Sequence, residues 1–319
     1  MTLIATVASQ AATNPFAQLI LDCDNNSNKI QARYEAHRSN RNALFREKLL
    51  DKNFPGWQID EILRNLILAQ ERAKTNAQNN DNGNGIQAPF VDHRHNLNFY
   101  ARPPKHVREI VTEIQAELRD VAPTLWFSPP ESLHITALEV ASSRTAEEVN
   151  ALATHLHEDT GAALKLVNYT NSPHHCVRLV KPMLSYDASA MALSFLPTAD
   201  EPTNYPVPNN SYSYHHLRRD LADQVLETGI TLGARYVVPS AHVTLARFVS
   251  QDGSDTKSVT RLVERIEKVN GMLKEKYWPA DSVMPAKGEW VVGQEEGLEM
   301  NEGTSWYGGG DKVLVGKGF

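Results

Sequence analysis

Two nine-residue segments of this 319-residue chain carry the same arrangement of reactive side chains. Residues 132–140 read Ser-Leu-His-Ile-Thr-Ala-Leu-Glu-Val, and residues 240–248 read Ser-Ala-His-Val-Thr-Leu-Ala-Arg-Phe. Both have strand character, and strand side chains alternate between faces. His134 and Thr136 therefore share one face, and His242 and Thr244 share the equivalent face of the second segment. An imidazole changes charge near neutral pH, so two of them in opposite protonation states can act as general base and general acid. A hydroxyl two residues away on a rigid strand can hold a phosphoryl oxygen where negative charge collects. A bare His-x-Thr arises by chance about once in a chain with this many histidines, so the pattern alone says little. The shared flanks, the strand context and the strand-and-helix run between the copies give it weight. The plainer alternative is two core strands, each with a hydrogen-bonded histidine.

The elements that must position these residues are readable in outline. Ile30, Tyr34, His37, Leu44, Phe45 and Leu49 follow helical spacing, and after Pro55-Gly56 so do Ile59, Ile62, Leu63, Leu66 and Ile67. Residues 75–88, dominated by Asn, Gln, Asp and Gly, lose all periodicity and read as a linker. This places a boundary near residue 88, with a helical extension and linker over 1–88 and a second domain over 89–319. Beyond it, Leu97, Phe99 and Ala101 alternate as a strand, and Val107 to Leu118 recur as a helix. A short strand is expected around Leu125–Phe127 and another over Ser132–Val140, followed by a helix beginning after Ser142-Ser143 and reaching Leu156. Residues 162–196 read as mostly strand and 197–212 as a Pro- and Asn-rich surface loop, either a lid or an insertion. A helix ends near Glu227, a strand pair passes through Tyr236 and through 240–249, a helix covers about 257–274, and glycine-separated strands close the chain. Strands with interspersed helices indicate an α+β or mixed α/β domain.

The paired motifs resemble those of the two-histidine (2H) phosphoesterases, which include bacterial RNA 2′,3′-cyclic phosphodiesterases and plant and fungal cyclic phosphodiesterases. The likeness covers about residues 95–310. It is most specific at His242-Val-Thr-Leu-Ala-Arg247 and in the approach Trp126-Phe-Ser-Pro-Pro-Glu-Ser-Leu-His134-Ile-Thr136, and is nearest to fungal members with an added N-terminal helical segment. The resemblance implies an α+β, bilobal, pseudo-symmetric fold, with two antiparallel sheets lining a cleft, helices outside and one motif from each lobe. It implies hydrolysis of a 2′,3′-cyclic phosphate on a nucleotide or RNA end, the 2′-phosphomonoester being the favoured product, with no cofactor and no metal. His134 and His242 would be catalytic, and Thr136, Thr244 and Arg247 would bind the phosphate. Arg247 poses a difficulty, since strict alternation puts it on the face opposite His242 unless the strand twists, bulges or ends nearby. Trp306 and Tyr307 are candidates for stacking a base, or else for closing a strand onto the core. Alternatives are cleavage of 2′-5′ or 3′-5′ oligonucleotide linkages, or nucleotide binding without catalysis.

Composition narrows the field. Two cysteines, Cys23 and Cys176, exclude a disulfide scaffold and a thiolate-rich zinc site, and a reducing compartment, cytoplasmic or nuclear, is the simplest setting. The net charge is −6, with residues 1–90 holding 10 basic and 9 acidic side chains and the remainder 22 and 29. That balance disfavours gripping DNA or long nucleic acid through its phosphates and suits a small phosphorylated substrate or an RNA end. No apolar run is long enough to span a membrane, and the opening residues 1–12, which lack a basic start and are interrupted by Ser9 and Gln10, read as a ragged terminus, with a signal peptide as the alternative. The segment 16–74 carries no chemical motif and is assigned to packing or to docking a protein partner. The tail Gly310-Asp-Lys-Val-Leu-Val-Gly316-Lys317 misses a phosphate-binding loop in spacing and lacks a following helix. The pairs His93/His95, His155/His157, His174/His175 and His215/His216 lack the companions of a metal site and read as solvated polar faces.

Overall fold

The computed structural model describes residues 14–78, 90–205, 211–234 and 236–319. Among these, the helices are α1 (Ala17–Asp22), α2 (Ser27–Leu50), α3 (Glu61–Gln78), α4 (Lys105–Arg119), α5 (Ala146–Thr154), α6 (Ala162–Val167), α7 (Tyr214–Glu227) and α8 (Thr256–Tyr277). The strands are β1 (His95–Ala101), β2 (Trp126–Phe127), β3 (Ile135–Arg144), β4 (Val177–Tyr186), β5 (Ala190–Pro197), β6 (Ala241–Arg247), β7 (Glu289–Val292), β8 (Glu296–Gly303) and β9 (Asp311–Lys317). They form two antiparallel sheets, a four-stranded one in the order β3-β1-β8-β9 and a five-stranded one in the order β2-β6-β5-β4-β7. Each sheet supplies one His-x-Thr segment, and β3 and β6 approach each other. This is the α+β, two-sheet architecture expected from the sequence.

The helices sit where their apolar stripes find a sheet. Helix α4 buries Val107, Ile110, Val111, Ile114 and Leu118, and with α8 covers the five-stranded sheet. Helices α5 and α6 pack on the four-stranded sheet. Thr145 and Glu148 form a capping box at the start of α5, and Ser213 and His216 form one at the start of α7. The N-terminal helices share the same apolar cluster: Phe16, Ile30, Tyr34, Leu49 and Trp57 are buried in it, while Leu44 is 46% exposed.

Several expectations are corrected. Residues 162–167 are helical and two tight turns follow at 169–171 and 173–175, so strand begins only at Val177. The run Ala-Ala-Leu-Lys-Leu-Val is a good helix former, and it follows Gly161 in the left-handed region. Strand β3 begins at Ile135, after a turn over 130–132, and runs through Ser142 and Ser143 to Arg144, with Thr145 capping the next helix. Tyr236 lies outside any strand; the carbonyls of Tyr236 and Val238 accept hydrogen bonds from the Arg218 guanidinium instead of from a neighbouring strand. His215 and His216 are buried, not solvated. His215 is held between the Tyr34 hydroxyl (2.9 Å) and the Phe16 carbonyl (3.0 Å), and His216 bonds the Asn25 side chain (2.6 Å). The two rings fasten α7 to the N-terminal segment.

Residues 75–78, expected in the linker, still belong to α3, and 79–89 lie outside the described residues. The Pro-rich loop is described except for 206–210. Its first half is tied to a buried ion pair between Arg178 and Glu289 (2.8 Å), where Arg178 donates to the Pro202 carbonyl and the Asn204 amide donates to Glu289. No helix among the described residues is long and apolar enough to cross a membrane.

Candidate active site

Between the two sheets lies a cavity of about 410 Å³ lined by His134, Thr136, His242, Thr244, Arg247 and Trp306, among others. Six of the seven residues singled out in the sequence thus come together, although 108 positions separate the two histidines.

The histidines are mounted alike. Each Nδ1 is engaged by the residue two positions earlier: that of His134 by the Ser132 carbonyl at 2.8 Å, and that of His242 by the Ser240 hydroxyl at 3.2 Å. This leaves each Nε2 for the cavity. The Ser132 carbonyl is itself gripped, because Gly308 passes so close that a Cβ there would lie 2.0 Å from that oxygen. The His134 ring stacks obliquely on Tyr100 at 4.0 Å between centroids, and Tyr100 is fixed by hydrogen bonds to Asn98 and the Ser305 carbonyl. The Tyr236 ring meets His242 edge-on at 5.1 Å.

Burial, above all, pushes the pKa of both rings from 6.5 down to about 4. For His242 the next contributions are the positive charges of His134, Arg218 and Arg247; for His134, the Ser132 carbonyl pulls the other way. Both rings are therefore neutral at pH 7 in the free protein. Each becomes easier to protonate once an anion enters.

The difficulty with Arg247 is resolved by a β-bulge. Across β5 and β6, Met191 pairs with Ala246 and Ala192 with Thr244, so Leu245 is an extra residue on β6. Leu245 and Ala246 both face the core, and Arg247 returns to the cleft. The bulge carbonyl is pinned by the Ser128 amide (2.8 Å) and the Gln115 side chain (3.1 Å). Strand β3 repeats the device. Phe99 pairs with Leu138 and Tyr100 with Thr136, so Ala137 is extra, Ala137 and Leu138 are both buried, and Glu139 returns to the cleft. Each motif thus continues as His-x-Thr-x-x-charge, with Glu139 on one side and Arg247 on the other.

Trp306 lines the cavity beneath the Arg94 guanidinium, 4.7 Å from its ring centre. Tyr307 is placed differently. Its hydroxyl accepts from Arg94 (3.1 Å) and donates to Asp60 (2.7 Å), and its ring lies 5.5 Å from the Arg247 guanidinium. It buttresses Arg247 and does not line the cavity. Asp60, just ahead of α3, is 3.5 Å from Arg247, so the N-terminal segment touches the site.

Residues missed by sequence reasoning are Asn98, Tyr100, Glu139, Arg218, Tyr236 and Asp60. Asn98 and Tyr100 occupy the polar phase of the strand whose apolar phase is Leu97, Phe99 and Ala101, so the alternation contained them. Arg218, from α7, is 2% exposed and lines the cavity, with two backbone carbonyls as its hydrogen-bond acceptors. Its position on a helix carried no motif to mark it. Among the described residues no group of three or more His, Cys, Asp or Glu side chains is placed to hold a metal ion.

No protein-family model matches the chain, and no curated protein matches it. Solved structures similar to it include a conserved protein of unknown function from Agrobacterium tumefaciens (12% identity, 72% of this chain and 91% of that one, TM-score 0.43). They also include Usb1 from Kluyveromyces marxianus, with uridine monophosphate (14% identity, 66% and 95%, TM-score 0.35) and without it (15%, 66% and 93%, TM-score 0.31). The functional reading below rests on the residues of the cleft.

Proposed function

We propose that the chain is a phosphodiesterase that opens a 2′,3′-cyclic phosphate on a nucleotide or RNA end by two-histidine acid–base catalysis. The observation that carries this reading is the meeting of the two His-x-Thr segments, one from each sheet, on a single cavity with both Nδ1 atoms engaged behind.

A cyclic phosphate is strained and needs only a deprotonated water on one side and a protonated leaving oxygen on the other. Because a carbonyl can only accept, the Nδ1 of His134 carries a proton, and the neutral ring presents an Nε2 lone pair to the cleft. His134 takes the proton of the attacking water, and the positive charge it gains is stabilised by the Ser132 carbonyl. The water oxygen bonds phosphorus, the P–O3′ bond breaks, and His242, as imidazolium, gives its proton to O3′. The product is a 2′-phosphomonoester. Thr136, Thr244 and Arg247 hold the non-bridging oxygens, and Arg218 adds positive charge to the wall.

The test is hydrolysis of the four nucleoside 2′,3′-cyclic phosphates in EDTA by the wild type, His134→Ala and His242→Ala. Each substitution is expected to cost about 10²–10⁴-fold in rate. Turnover near the wild-type rate in either variant overturns the assignment.

A further inference from the structure

The cleft does not end at His242. A second groove, of about 220 Å³, shares Tyr236, Ser240, His242, Thr244 and Arg247 with the reaction cavity and continues to helix α2. Its floor is the same face of the five-stranded sheet. Ser194 lies opposite His242, Ala192 opposite Thr244 and Ala190 opposite Arg247, and Ser185 lies opposite Ala192 on the next strand. None of these side chains is larger than serine, so nothing on the floor blocks a chain leaving the histidines. Crossing from β6 over β5 to β4 covers about 10 Å. At the far side stand His37, Arg38 and Arg41 of α2.

We propose that this groove binds the nucleotide preceding the reacting end, so that the substrate is an oligonucleotide terminus rather than a free cyclic mononucleotide. The proposal rests on the phosphodiesterase reading and deepens it. The groove has what a neighbouring phosphodiester requires. Three guanidinium groups line it (Arg38, Arg41 and Arg247) against one carboxylate, Asp187. Arg38 is fixed, donating to the Lys181 carbonyl at 2.6 Å and paired with Glu35. Arg41 is half-exposed and meets Asp187 through one terminal nitrogen, so the other N–H groups of its fork can meet a phosphate. The Ser189 and Ala190 amides and the Ser189 hydroxyl all bond Asp187 Oδ1, which holds that carboxylate in place, while Oδ2 takes Arg41. A mononucleotide seated at the histidines would leave this groove empty. The N-terminal helix, which carries no catalytic motif, thereby acquires a role in the choice of substrate.

The experiment compares kcat/KM for uridine 2′,3′-cyclic phosphate and for a uridine trinucleotide ending in the same cyclic phosphate, in the wild type, Arg41→Ala and Arg41→Glu. The wild type should prefer the trinucleotide by at least about tenfold, the increment of one charge-assisted phosphate contact. Arg41→Glu should remove that preference while changing mononucleotide turnover less than about twofold. No preference in the wild type, or an equal loss on both substrates in the variants, overturns the proposal. Equilibrium binding of a 2′-O-methyl uridine trinucleotide 3′-phosphate and of uridine 3′-monophosphate separates the two readings. If neither cyclic substrate is turned over but the trinucleotide binds more tightly, and Arg41→Glu abolishes the difference, the groove stands and the catalytic reading falls. If the two ligands bind equally, the groove assignment falls.

Discussion

The lowered pKa values of the two histidines fix how activity should respond to pH. With both rings titrating at about 4, only about one ring in a thousand is protonated at pH 7 in the free protein. The proposed reaction needs one neutral and one protonated ring. A cyclic phosphodiester stays a monoanion across this range, so kcat/KM should fall about tenfold per pH unit from pH 5.5 to 8. Once bound, the anion acts on the acid directly. At about 4 Å and an effective dielectric constant of 20 the attraction is about 4 kcal/mol, roughly three pKa units, which moves the limb from about 4 to about 7. The saturated rate kcat should therefore stay nearly flat to about pH 7 while kcat/KM is already falling. Steady-state kinetics on cytidine 2′,3′-cyclic phosphate, with NMR titration of the ring protons of His134 and His242, reads both curves. His134→Gln removes the largest charge acting on His242 and should raise the His242 midpoint, leaving burial as its main depressing influence. Free-protein midpoints near 6.5, or a kcat/KM that is flat between pH 5.5 and 7, would refute the reasoning.

Two further predictions follow from the supports of the site. Gly308→Ala would drive a methyl group into the Ser132 carbonyl at a backbone φ of +83°, so kcat should drop at least about tenfold as His134 loses its anchor. Gly293→Ala, also at positive φ but against the Thr170 side chain and away from the cavity, is the control, expected to lower Tm while largely sparing kcat; equal kcat losses in the two variants would remove the special role of Gly308. The second prediction concerns acid stability. Burial lowers His215 to about 3 and His216 to about 4, so below pH 6.5 the unfolded chain binds protons that the folded one refuses. Stability should be complete above pH 6.5 and fall by about 1.4 kcal/mol per pH unit for each ring as pH drops toward the folded values. Urea denaturation at pH 7.5, 6.5, 6.0 and 5.5 measures the slope, which His216→Asn should reduce by one ring's share; an unchanged slope in that variant contradicts the account.

What the sequence made legible follows from which rules were locally obeyed. Strand alternation placed His134 with Thr136 and His242 with Thr244, because neither pair spans a bulge. The same rule placed Arg247 on the wrong face, because it fails at Leu245. The break was nevertheless written in the residues: Thr-Ala-Leu-Glu and Thr-Leu-Ala-Arg each put two apolar residues side by side in an otherwise alternating strand. Helical spacing gave α4 and α8, whose apolar stripes meet a sheet. Strand character misled over 162–167, where a short apolar run fits a helix as well as a strand. Arg218 and Asp60 were invisible because tertiary folding alone brings α7 and the start of α3 to the cleft.

The two bulges also explain how a nearly symmetric cleft acquires a direction. Each lobe presents the same series of a serine, a histidine two residues later, a threonine two after that, an extra apolar residue and a charge. The series differ at two points. Ser132 offers a carbonyl that only accepts, whereas Ser240 offers a hydroxyl that can donate or accept, so the neutral tautomer of His134 is fixed and that of His242 is not. The returning charge is Glu139 on the first strand and Arg247 on the second. A phosphate anion between the rings is drawn toward the Arg247 side and away from Glu139; the Arg247 charge by itself disfavours protonation of His242, and the anion brought to that ring works against it. Exchanging the charges, with Glu139→Arg and Arg247→Glu in one chain, reverses that field while leaving both histidines in place. It separates the contribution of the field from that of the rings.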